Sequence, residues 1–110
     1  MPVFLILSTC PDADTAQRLA RALVDERLAA CVSVLPGVVS TYRWQGRVEQ
    51  ANEVQLLAKT SADRRDALMA RLAELHPYEL PEILAVETAG LPAYLDWVAV
   101  ETRADARAPE

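Results

Sequence analysis

Two extended runs meet at Gln45-Gly46, and they limit what this chain can fold into. Val38-Val39-Ser40-Thr41-Tyr42-Arg43-Trp44 leads into the pair, and Arg47 to Thr60 leads away with Val54, Leu56 and Ala58 on one face. A polar residue followed by glycine suits a tight turn between antiparallel strands. Residues 38–44 and 47–53 then form an arm roughly 20 Å long at the usual strand rise. Two strands alone are marginal in water, and Tyr42 and Trp44 near the tip would lie exposed on a lone chain. The arm is therefore expected to dock on further copies in a closed oligomer, with Tyr42 and Trp44 at the interface. Upstream, Ala30 to Leu35 is strand-like, and Pro36-Gly37 predicts a bulge or bend before the arm.

The flanking segments place this hairpin in a wider order. Val3 to Ser8 is an almost continuous apolar run bounded by Pro11, as in a buried central strand. Asp12 and Asp14 are candidate N-caps, and Ala16, Leu19, Ala20, Leu23 and Val24 then recur at helical spacing. Ser61 is positioned to cap a second helix through Leu75, with Leu68, Leu72 and Leu75 inward and Met69 beside them. Pro77 disfavours helix in the residue before it, which ends that helix near His76. A strand at Ile83-Leu84-Ala85-Val86 follows. Pro92 suits the first turn of a short third helix with Tyr94, Leu95 and Val98 inward and Trp97 at the edge. Strand, helix, strand, strand, helix, strand is the order of a ferredoxin-like α/β sandwich with both helices on one sheet face. Residues 1–101 are expected to form one such domain, and 102–110 a frayed tail.

Composition excludes some functions. The formal charge of -5 opposes binding to a phosphate backbone, so no nucleic-acid partner is expected. Two cysteines are too few for a disulfide framework. The apolar opening lacks a basic flank and is far shorter than the ~20 residues of a spanning helix, so neither a signal peptide nor membrane insertion is expected. A cytoplasmic setting follows.

Chemistry concentrates in His76-Pro77-Tyr78-Glu79-Leu80-Pro81-Glu82, which holds the only histidine. Imidazole, carboxylate and thiol together favour copper or zinc over magnesium or calcium, which makes His76, Cys10 and Glu82 candidate metal ligands. Against this, His76 also suits a plain helix C-terminus, its ring meeting the last carbonyls. No Ser or Cys is recognisably set against His76 as a nucleophile, and the three glycines form no phosphate loop. An enzymatic role is not expected. Lys59, the only lysine, is either a solvated strand-end charge or a cation lining a cleft.

Several segments together resemble the CutA divalent-cation-tolerance family. They are Ala29-Ala30-Cys31-Val32, Leu35-Pro36-Gly37, Tyr42-Arg43-Trp44-Gln45-Gly46-Arg47, Glu53-Val54, Leu57-Ala58-Lys59-Thr60, the loop 76–82, and Pro92-Ala93-Tyr94-Leu95-Asp96-Trp97. The resemblance implies a ferredoxin-like subunit in a tight homotrimer, no enzymatic reaction, and tolerance of copper and other divalent cations through non-catalytic metal binding. It implies copper ligation by a cysteine late in the first strand and two adjacent histidines before Pro-Tyr. Those positions hold Ser8, Leu75 and His76 here, with Cys10 two residues past Ser8 and on the same strand face. An alternative implied by analogy with PII-like trimers is a signalling or scaffold role. Trp44, Lys59, Tyr78, Glu79 and Glu82 would then line an intersubunit cleft for a small anionic metabolite.

Overall fold

A computed structural model describes residues 2–104. The chain runs β1 (Val3–Cys10), α1 (Ala13–Asp25), β2 (Cys31–Trp44), β3 (Arg47–Ser61), α2 (Ala62–Leu75), β4 (Leu84–Thr88) and α3 (Pro92–Glu101). The four strands form one antiparallel sheet in the order β2-β3-β1-β4, the ferredoxin-like arrangement expected from the sequence. Alternation divides its faces. Ile6, Cys10, Val54, Leu56 and Ala58 point to the side covered by α1 and α2, where they pack with Ala16, Leu19, Leu23, Leu68 and Leu72. Asp12 caps α1, its Oδ1 accepting the Thr15 amide at 2.8 Å. Val24, expected on the inward face, is exposed at the end of the apolar stripe.

The hairpin forms as the residues dictate. Gln45 (φ 49°) and Gly46 (φ 79°) both adopt the left-handed backbone that a two-residue turn requires. The register shifts between Leu35 and Val38, so Pro36-Gly37 is the bulge. β1 pairs with β3 from Val54 onward, so among the described residues 47–53 have β2 as sole strand partner. The protruding arm gives extents of 51 × 30 × 22 Å and a radius of gyration of 14.8 Å. A compact chain of this length would give about 13 Å. Along the arm Val39 is 61% and Val48 65% exposed.

The sheet's other face is apolar and largely open. Leu7 stands opposite Leu57 and Leu84, and Leu5 opposite Val86, with Leu84 56% and Val86 50% exposed. Helix α3 packs against β1 and β3, and Val98 and Val3 are buried. Of the face expected for α3, only Val98 is buried; Tyr94 is exposed and stacks on Trp97 at 5.6 Å. Two further details differ from the sequence reading. Ser61 sits at the N-cap of α2 but makes no side-chain capping bond, because its hydroxyl is paired with that of Thr102 at 2.9 Å. Thr102, placed in the frayed tail by composition, is fully buried and also donates to the Val98 carbonyl (2.8 Å), so the ordered chain continues past 101. The remainder of that tail, 105–110, lies outside the described residues. Among the described residues no helix is long and apolar enough to cross a membrane.

Candidate functional site

The end of β1, the end of α2 and the root of the hairpin converge beside the loop 76–82. His76 terminates α2, its amide donating to Leu72 and its backbone extended (φ -72°, ψ 137°) as the following proline demands. This turns the ring away from its own helix and across to β1. Nε2 lies 2.8 Å from the Thr9 carbonyl, and Nδ1 lies 3.1 Å from the Tyr78 amide. A carbonyl only accepts and an amide only donates, so these partners require the proton on Nε2 and a lone pair on Nδ1. Both ring nitrogens are therefore spent on holding the loop to β1. The ring is buried and tilted against Tyr78, centroids 4.8 Å apart.

Cys10 is brought to this ring, Sγ 3.9 Å from Nε2, as the pairing of first strand and loop suggests. Its environment is unsuited to a thiolate. Burial, then the Asp12 and Glu53 carboxylates, push the thiol up to about 11. Ser8 is also fully buried on the core face, and its hydroxyl has no hydrogen-bond partner among the described residues.

In front of the latch lies a cleft of about 380 Å³ lined by Thr9, Tyr42, Trp44, Glu53, Tyr78, Glu79, Leu80 and Glu82. The arm supplies Tyr42, Trp44 and Glu53, and the loop supplies the rest except Thr9. The Tyr78 hydroxyl donates to Glu53 Oε2 at 2.7 Å, tying loop to arm. Burial and the adjacent carboxylate push the Tyr78 phenol well above its ordinary value, so it stays a donor. Trp44, Tyr78, Glu79 and Glu82, selected from sequence, thus share one cleft, and Tyr42 joins them. Lys59 does not line it within one chain. It stands opposite Leu5 on the open face and donates to Ser33 Oγ at 2.8 Å. Glu53 and Thr9 were missed as site residues. Their signal was the odd-numbered register of β3 and the C-terminal end of β1.

The CutA1 divalent ion tolerance protein family model matches residues 4–101. The chain belongs to this family. A divalent-cation tolerance protein CutA of Pectobacterium atrosepticum is 45% identical over 100 residues, covering 90% of this chain and 91% of the relative. The protein of that name from Thermus thermophilus is 46% identical over 99 residues, covering 89% and 96%. The crystal structure of CutA from Xylella fastidiosa superposes with a TM-score of 0.90 at 56% identity, covering 92% of this chain and 98% of that one.

The family description raises the question of a metal, and the residues around Cys10 and His76 do not fit one as they stand. Among the described residues no three His, Cys, Asp or Glu side chains converge as a ligand set. A metal at Nδ1 displaces the Tyr78 amide, and one at Nε2 displaces a proton and the Thr9 carbonyl. Burial and the Asp12 and Glu53 carboxylates also hold the proton on the neighbouring thiol, so a metal there would have to displace it against that bias.

Proposed function

We propose that the chain serves divalent-cation tolerance without catalysing a reaction, as a cytoplasmic homotrimer that meets metal ions weakly at its acidic cleft. The observation that carries the cleft assignment is that both nitrogens of the only histidine are already hydrogen-bonded. Glu53, Glu79 and Glu82 line the neighbouring cleft, and among the described residues no basic side chain joins them. Among the described residues these carboxylates do not converge into a ready ligand set, so an ion here keeps most of its water and is held weakly by one or two carboxylates. Binding at His76, in contrast, first breaks a hydrogen bond of the ring. His76 and Cys10 then support the site structurally, and Glu82 remains a ligand. Trimer formation is supported by the apolar open face around Leu7, Leu57, Leu84 and Val86, and by the arm's face away from the cleft, where Val39 and Val48 are exposed. Light scattering is expected to give a mass of roughly 36 kDa, three copies of the 12.1 kDa chain; a monomer at micromolar concentration refutes the assembly. Calorimetry with Cu(II) is expected to show weak binding that Glu53→Gln/Glu79→Gln/Glu82→Gln abolishes and His76→Gln leaves in place. Loss on His76→Gln alone refutes the cleft assignment and returns the metal to His76. An anionic metabolite is disfavoured by the same charges, because Lys59 is engaged with Ser33 elsewhere on the sheet.

A further inference from the structure

The walls of the cleft are not those of a simple metal site. A hydrated divalent ion needs oxygen ligands and gains nothing from aromatic faces, yet three of the eight lining residues are Tyr42, Trp44 and Tyr78, with Leu80 beside them. We propose that the cleft binds a small organic ammonium ion, its charged nitrogen facing Glu53, Glu79 and Glu82 and its apolar stem lying on the Trp44 and Tyr42 rings. Aromatic faces attract ammonium groups through the ring quadrupole, and carboxylates supply the countercharge. At about 380 Å³ the cleft falls in the size range of small-ligand sites, roughly 300–1,000 Å³, and far exceeds what a bare ion fills. It is also pre-formed. The bond from Tyr78 to Glu53 (2.7 Å) fixes a ring and a carboxylate relative to each other, and the Tyr78 amide is held in turn by His76 Nδ1 (3.1 Å). Among the described residues no lysine or arginine lines the cleft to neutralise its charge internally.

This inference extends the acidic cleft proposed above but does not require that a metal bind there. The test is calorimetry on the purified 110-residue chain with two matched pairs: choline against 3,3-dimethylbutan-1-ol, and n-butylammonium against n-butanol. Each neutral partner keeps the shape and removes the charge. At least one cation is expected to bind tenfold or more tightly than its neutral partner, and Trp44→Leu and Glu79→Gln are each expected to weaken it at least fivefold. Glu79 is exposed on the loop, so its variant should fold even where Trp44→Leu perturbs assembly. Equal affinity for cation and alcohol, no binding of either cation, or full affinity in Glu79→Gln overturns the proposal. A parallel Cu(II) titration separates the two readings. Copper heat without ammonium binding removes this inference alone, and ammonium binding without copper heat removes the metal reading alone.

Discussion

Replacing His76 by alanine should damage the fold rather than a metal site. The ring makes two hydrogen bonds in a buried setting, to the Thr9 carbonyl and from the Tyr78 amide. Each such bond contributes roughly 0.5–1.5 kcal/mol net, and a buried group left unpaired costs about 1–3 kcal/mol. Removing the ring orphans a carbonyl and an amide and opens space beside Cys10. Water reaching part of the gap limits the loss to about 3 kcal/mol per protomer. Glutamine offers an amide donor for Thr9 and a carbonyl acceptor for Tyr78, so His76→Gln should recover at least half of that loss. The assay is urea unfolding at fixed protomer concentration, because assembly couples concentration to apparent stability. Hydrogen exchange of the Tyr78 amide, quickened in His76→Ala and slowed again in His76→Gln, locates the effect. A His76→Ala protein of unchanged stability and unchanged Tyr78 exchange would refute the latch.

Other residues give independent checks. Ser8→Ala removes an unpaired buried hydroxyl and should raise stability by about 1 kcal/mol in the same unfolding assay, whereas a loss would reveal a partner for that hydroxyl. The Cys10 thiol, raised from 9.0 to about 11, binds its proton more tightly folded than unfolded. Stability it contributes is therefore intact below pH 9 and falls as pH rises from 9 to 11, by on the order of 2 kcal/mol. Cys10→Ala should lack that part of the alkaline decline, and a parallel curve would contradict the assignment. Asp12→Ala should lower the midpoint of thermal unfolding through loss of the α1 cap, and an unchanged midpoint would contradict the capping role. Val86→Glu places a charge on the open sheet face, at a site half exposed in one chain, and should lower the mass seen by light scattering while circular dichroism stays unchanged.

Much of the fold could be read from residue order because local and global signals agree. The period of Ala16, Leu19 and Leu23 is that of a helix face, and all three are buried. Gln45-Gly46 and Pro36-Gly37 each mark a backbone irregularity that only a few residue types accept, and both occur where expected. The site was less legible, since the decisive partners of His76 are backbone atoms of residues 9 and 78, which carry no residue-type signal. Lys59 was ambiguous for a different reason. Its place among open-face residues depends on the strand register, and its engagement with Ser33 depends on β2 lying alongside. Thr102 was misjudged because the Ala, Arg and Glu around it suggest solvent, while its hydroxyl is buried against Ser61 by the packing of α3.

The central claim is that His76 is a structural latch and that metal ions meet carboxylates instead. A single histidine makes this directly testable. The tag-free protein is prepared once with ordinary histidine and once with ¹⁵N-histidine, loaded with substoichiometric Cu(II), and compared by electron spin echo envelope modulation. The account predicts identical spectra without imidazole nitrogen modulation. A modulation that changes with the isotope would place copper on His76 and contradict it.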